Sequence, residues 1–218
     1  MTSEELHHLA RQLSCPEGEF GIHLAENMNE TNIGMTRNAM SHLKVSPNDY
    51  IMELGYANGA HLAELFAAEP SIRYAGYEVS ETMHAEARKI NAAVSQNIGL
   101  WLYDGRNIPA PDNHFDKGFC VNTLYFWPDV RVMLNETARV LKPNGHFCLT
   151  FAERDSMEQL PFTDHVFHLY MPEDIEALLP MTGFQQIGID RQFEDVVNKT
   201  GHHIKRHYVT LILQKSVK

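Results

Sequence analysis

Glu53, Glu78, Asp104 and Asn122 each stand where an apolar run gives way to a turn. The first is the most specific. Tyr50-Ile51-Met52-Glu53 ends in a carboxylate, Leu54-Gly55-Tyr56-Ala57-Asn58-Gly59 follows as a glycine-containing loop, and a helical pattern begins at Ala60-His61. That order, strand then tight loop then helix, is where an open α/β sheet holds a nucleotide-like ligand. A carboxylate at the strand tip suits a cationic or hydrogen-bond-donating ligand better than a pyrophosphate, which it would repel. Glu78, 25 residues further on, can accept from two ribose hydroxyls. Asp104, followed by Gly105, can accept from an exocyclic amine. Asn122 can donate or accept near a reacting group, and backbone N–H groups after Gly59 add donors.

These groups converge only if the strands carrying them are parallel neighbours, and the pattern predicts that. Apolar runs at 50–54, 73–78, 100–103, 115–121 and 146–151 read as strands. Between them, Leu62, Leu65 and Phe66 mark one helix, and Met83, Ala87, Ile90 and Val94 a second behind the N-cap Ser80. Val130, Met133, Leu134, Thr137 and Val140 mark a third, closed by Lys142-Pro143-Asn144-Gly145. Pro172 opens a helix to about Leu179. Alternating β and α units imply a mostly parallel sheet with right-handed crossovers. The last two runs, 184–190 and 208–213, have no helix between them, so the final strand is expected to be antiparallel. Residues 1–45 read as helices broken at Cys15-Pro16-Glu17-Gly18.

Composition narrows the partners. A chain of 218 residues with 44% hydrophobic and 21% charged residues predicts a soluble globular unit. With 18 basic against 28 acidic residues and a net charge of −10, broad contact with nucleic acid is disfavoured. The three cysteines, Cys15, Cys120 and Cys148, read as free thiols in a reducing compartment, and no four-ligand metal spacing can be written from them. The acidic N-terminus lacks an apolar signal core, and no uncharged apolar stretch reaches the roughly 18–20 residues of a membrane span. The expectation is a cytoplasmic protein.

The strand-end motifs, taken in order, resemble those of the class I S-adenosylmethionine-dependent methyltransferases. Glu53 to Gly59 is similar to their glycine-rich signature, Glu78 to their ribose-binding acid and Asp104-Gly105 to their adenine-contacting position. Val121-Asn122-Thr123-Leu124-Tyr125-Phe126-Trp127-Pro128-Asp129 resembles the segment after the fourth strand. Arg139-Val140-Leu141-Lys142-Pro143-Asn144-Gly145 resembles the approach to the fifth. The resemblance covers residues 45–152 and is to small-molecule enzymes of the ubiquinone/menaquinone-biosynthesis type. It implies a Rossmann-like, doubly wound, seven-stranded and mostly parallel α/β sheet with an antiparallel last strand. Residues 1–45 are then a helical cap and 46–218 the cofactor-binding domain. It implies S-adenosyl-L-methionine as cofactor, S-adenosyl-L-homocysteine as product, and Glu53, Gly55, Tyr56, Ala57, Gly59, Glu78, Asp104, Gly105 and Asn122 as cofactor-binding residues. One position departs from the pattern: Ala57 replaces the middle glycine, and a Cβ at positive φ costs about 1 kcal/mol.

The acceptor is a small molecule on this reading, with a homodimer among the assemblies the sequence admits. Tyr125 and Trp127, together with His165 and Phe167 from an expected lid at 153–171, are the candidate substrate wall. If the acceptor must lose a proton, His165, His168 and Tyr125 are the candidate bases. The asparagine-rich run Asn27 to Asn32 is expected to touch cofactor or substrate. His7, His8, His202, His203 and His207 have no acid or thiol at ligand spacing, so no metal is expected. Two other classes fit the same residues less well. A nicotinamide-dependent oxidoreductase would use Gly55, Ala57 and Ala60 as a degraded dinucleotide fingerprint, against the repulsion of Glu53. A non-catalytic protein of the same fold would keep the pocket as a ligand sensor or partner subunit.

Overall fold

The computed structural model describes residues 1–197 and 203–217. Two helices come first. α1 (Ser3–Ser14) starts in a capping box, with Thr2 and Glu5 exchanging side-chain and backbone hydrogen bonds. α2 (Gly18–Leu43) runs 26 residues and ends at Lys44 in the left-handed region. There follow β1 (Tyr50–Leu54), α3 (Leu62–Ala68), β2 (Arg73–Glu78), α4 (Glu81–Ile90), β3 (Ile98–Leu102) and β4 (Phe115–Val121). The chain then adds α5 (Val130–Val140), β5 (Leu141–Ala152), the single turn α6 (Arg154–Met157), α7 (Pro172–Leu178), β6 (Phe184–Val197) and β7 (His203–Lys215).

The seven strands form one sheet in the order β3-β2-β1-β4-β5-β7-β6. β1 through β5 pair in parallel, and β7 pairs antiparallel with both β5 and β6. The strand order reverses between β1 and β4, the crevice where doubly wound sheets bind ligands. β1 is buried on both faces. Ile51 packs with Ala39, Leu43, Leu62 and Leu65 from α2 and α3, while Met52 and Leu54 pack with Met133 and Leu134 from α5. Each such fully buried side chain contributes about 1.5–3 kcal/mol, so the sheet holds β1 rigidly and fixes its tip.

β3 runs Ile98–Leu102 and α4 ends at Ile90, short of Val94, and two larger departures from the sequence reading lie in β5 and the final hairpin. β5 begins at Leu141, directly after α5, and not at His146. Leu141 already pairs with Phe115, and the register then shifts between Phe115 and Lys117, so the Lys142–Gly145 turn is a bulge inside the strand. The final hairpin is also much longer than its apolar runs. Glu194 faces Arg206 and bonds to it, and Lys205 lies over the Phe193 ring, so polar cross-strand contacts continue where apolar alternation has ended. Among the described residues no helix is long and apolar enough to cross a membrane.

Candidate active site

Beyond the carboxyl ends of β1, β2 and β4 lies a cavity of about 560 Å³. Glu53, Gly55, Tyr56, Ala57, Glu78, Asp104, Gly105, Asn122 and Trp127 all line it. Gly59 does not. Its φ is +64° and a Cβ there would sit 2.9 Å from the Asn91 side chain, so this glycine serves the loop's packing on α4. Gly55 is constrained on the cavity side: its φ is +74° and a Cβ would come within 2.5 Å of Thr123 Oγ1.

Ala57 adopts φ +51°, the left-handed geometry that penalises a Cβ. Glu78 holds it there. Its carboxylate accepts from the backbone N–H of Ala57 at 2.9 Å through one oxygen, and from Val79 at 2.8 Å and Ser80 at 2.9 Å through the other. Burial raises the Glu78 pKa, and the three N–H groups pull against that rise. Glu78 is thus both the ribose candidate and the tether of the loop.

Glu53 is equally engaged, by partners the sequence did not reveal. One oxygen accepts from His61 Nε2 at 2.8 Å and from Tyr74 O–H at 2.5 Å. Burial alone would lower the His61 pKa, but the charge and hydrogen bond of Glu53 raise it on balance. Burial, then the charge of Glu53, pushes the Tyr74 phenol up. The carboxylate's second oxygen is the one left for a ligand. His61 sits at the start of α3 and Tyr74 on β2, so only the folded sheet assembles the three. A basic residue eight positions after the acid was the only signal available.

Asp104 lines the cavity from the β3 end, is exposed, and has both oxygens engaged by the turn that follows it. Oδ1 accepts from Arg106 N and Asn107 N at 2.8 and 2.7 Å, and Oδ2 from the Asn107 carboxamide at 2.7 Å. These bonds, those from Asn107 first, lower its pKa and keep it a carboxylate. Asn122, at φ +55°, anchors the β4 end through Oδ1, which accepts from Ala152 N at 3.1 Å and lies 3.1 Å from the Tyr125 hydroxyl oxygen.

The N-terminal helices complete the walls. Leu13 and Pro16, with Met28, Asn29 and Asn32 of α2, line the same cavity. Asn29 donates to Asn58 Oδ1 at 2.8 Å, and Ser80 Oγ donates to Pro16 O at 2.5 Å, fastening the N-terminal segment to the glycine loop and to α4. A second cavity of about 290 Å³ adjoins the first and is lined by Tyr125, Phe167 and part of the segment after β5, from Ser156 to Phe162. His165 lines neither cavity; its ring packs against His7 at 5.3 Å. His168 also lies outside both and gives its backbone N–H to Tyr125 O. Tyr125 donates its hydroxyl to Ala152 O at 2.8 Å, and burial pushes its pKa up. No candidate base is therefore poised for a proton. His202 lies outside the described residues. Among them, no group of three or more His, Cys, Asp or Glu could hold a metal ion.

Residues 52–149 match the family model described as "Methyltransferase domain". The "Uncharacterized methyltransferase YdaC" of Bacillus subtilis is 27% identical over 159 residues, covering 72% of this chain and 82% of that protein. The "Ubiquinone/menaquinone biosynthesis C-methyltransferase UbiE" of Rickettsia bellii is 34% identical over 79 residues, 35% of this chain and 32% of its own length. Among solved structures, a chain of the Haloferax volcanii complex between the Trm112 methyltransferase activator and a methyltransferase superposes with a TM-score of 0.76. It covers 100% of both chains at 16% identity, a likeness of fold.

Proposed function

This chain belongs to the methyltransferase family, and on that premise we propose that the 560 Å³ cavity binds S-adenosyl-L-methionine and that its methyl passes to a small-molecule acceptor. One observation carries the reading: Glu53, Glu78 and Asp104, from three different strand ends, face a single hollow. The donor set fits the cofactor. Glu53 offers an oxygen to an ammonium, Glu78 to ribose hydroxyls and Asp104 to an exocyclic amine, while Val79, Tyr103 and Trp127 supply apolar walls. The bound cofactor brings a sulfonium whose methyl is electrophilic, so it carries the hard chemistry.

The chain's own work is placement. Glu53, held by His61 and Tyr74, orients the charged end of the cofactor. Glu78 fixes the loop at Ala57, and Asn122 stands at the β4 end, where the two cavities meet. Alignment of this kind converts a two-body reaction into an intramolecular one. Residues 1–45 act as the cap and 46–218 as the cofactor-binding domain.

Titration calorimetry with S-adenosyl-L-homocysteine and with NAD tests the reading. The first should bind and the second should not; the opposite result would replace the methyl donor with a dinucleotide. The informative variant is Glu78→Gln. Truncation to alanine would strand three backbone donors and confound binding with folding. Glutamine keeps the shape and loses the charge; its one oxygen can keep the Val79 and Ser80 bonds and gives up only that to Ala57, so affinity for S-adenosyl-L-homocysteine should fall by about 1–2 kcal/mol. Unchanged affinity would remove Glu78 from the ribose site.

A further inference from the structure

The second cavity is built differently from the first. Its walls are Leu6, Leu9, Leu24, Leu160, Phe162 and Phe167, from α1, α2 and the segment after β5. Asn32 and Asn122 line both cavities and therefore stand at their junction. Each carboxamide is fixed in orientation by a donor that needs its oxygen. Asn122 Oδ1 accepts from the backbone N–H of Ala152 at 3.1 Å, and Asn32 Oδ1 accepts from Arg206 Nη1 at 2.9 Å. The nitrogen end of each is thereby the end left over. Asn122 Nδ2 spends one N–H on Met35 Sδ at 3.4 Å, a weak thioether acceptor. Asn32 Nδ2 has no protein acceptor among the described residues.

Charge in the chamber is already spent. Arg206 lines it, but its guanidinium is bonded to Glu194, Asn32 and the Thr31 carbonyl. The Tyr125 hydroxyl is committed to Ala152. Among the described residues the lining holds no carboxylate and no imidazole. The chamber thus offers an apolar body its walls, and carboxamide N–H groups where it meets the proposed methyl-donor site.

We propose that this chamber takes a phenol: an aromatic body against the leucine and phenylalanine walls, with its hydroxyl oxygen between the Asn32 and Asn122 carboxamides. The inference rests on the first cavity being the methyl-donor site. The two N–H groups favour the ionised oxygen, so the hydroxyl proton leaves to water without a protein base. A lone pair of the phenolate oxygen then forms the O–CH3 bond as the S–CH3 bond of the sulfonium donor breaks, and that bond's electron pair stays on sulfur.

The full chain is titrated with 7-hydroxycoumarin, whose fluorescence reports both binding and ionisation, with no methyl donor present. The expected result is that the bound probe is more acidic than the free probe, by about tenfold in its acid constant, the scale of a charge-assisted hydrogen bond. Asn32→Leu should keep binding and abolish that shift. Phe162→Arg, or Leu6→Arg should the first fail to fold, should block binding. A bound probe of unchanged or weakened acidity overturns the proposal, as does undiminished binding to a folded chamber-blocking variant. Phe162 lines only the second cavity, so S-adenosyl-L-homocysteine binding in that variant is expected to match the parent chain. Failure of the parent chain to bind S-adenosyl-L-homocysteine sinks the methyl-donor reading instead, whatever the coumarin does.

Discussion

At the scale of single residues, Ala57 and His61 show two ways in which a strained or buried group is held. Ala57 sits at φ +51°, where a Cβ costs about 1–2 kcal/mol. Glycine would relieve that strain and give back about 0.4–1 kcal/mol in unfolded-chain entropy. The strain term is the larger, so Ala57→Gly is expected to stabilise the chain by about 0.5–1 kcal/mol, read from the urea midpoint at constant slope. A destabilised variant would mean that the methyl group packs better than its φ suggests. His61 makes a pH-dependent contribution. Its folded pKa lies above the ordinary 6.5, because Glu53 outweighs burial. The folded chain then binds more protons than the unfolded chain between the two values, and stability falls as pH rises through that window. Urea midpoints should decline in the parent chain as pH rises above 6.5 and flatten in His61→Gln. A decline of equal slope in the variant would assign it to another group.

At the scale of elements, the hinge between what the sequence discloses and what it hides is range. β1, the glycine loop and the acids at 53, 78 and 104 were legible because each is written in a few consecutive residues, as an apolar run and then a turn. His61 beside Glu53 and Tyr74 was not, since three elements must dock before they meet. The length of the β6–β7 hairpin was hidden because polar cross-strand contacts, not apolar alternation, continue in its outer half. The second cavity was hidden most deeply: its walls come from residues 6–31, 122–126 and 156–167. The attachment of α2 to that hairpin is of the same long-range kind. Asp190 on β6 accepts from Asn38 and His42 of α2 at 2.8 Å each, and Thr210 on β7 donates to Asn38 Oδ1 at 2.6 Å. Asp190→Ala strands the Asn38 donor. It should cost about 1 kcal/mol, the lower end for a lost partner because the carboxylate is partly solvated. Amide exchange should quicken across residues 35–43. Exchange that quickens across the whole sheet would show the contact to be general packing and not a local latch.

At the scale of the molecule, the cleft joins segments far apart in the chain: residues 13–36 form one wall and 53–128 the other. A ligand that binds only the closed cleft suppresses every opening that separates those walls. The suppression is RT ln(1 + [L]/Kd), about 2.7 kcal/mol or a hundredfold at a ligand concentration of 100 Kd. Openings that leave the cleft intact gain nothing. β6 is the test of that distinction, for it is an edge strand, with Ile187 and Ile189 exposed, and it lines neither cavity in the stretch 184–192. Saturating S-adenosyl-L-homocysteine should therefore slow amide exchange by up to about a hundredfold in residues 13–16, 28–36 and 55–61. Residues 184–192 should keep their rates. Protection confined to 55–61 would mean that the N-terminal helices open and close independently of the cofactor, and the cap would then be a neighbour of the site and not a wall of it.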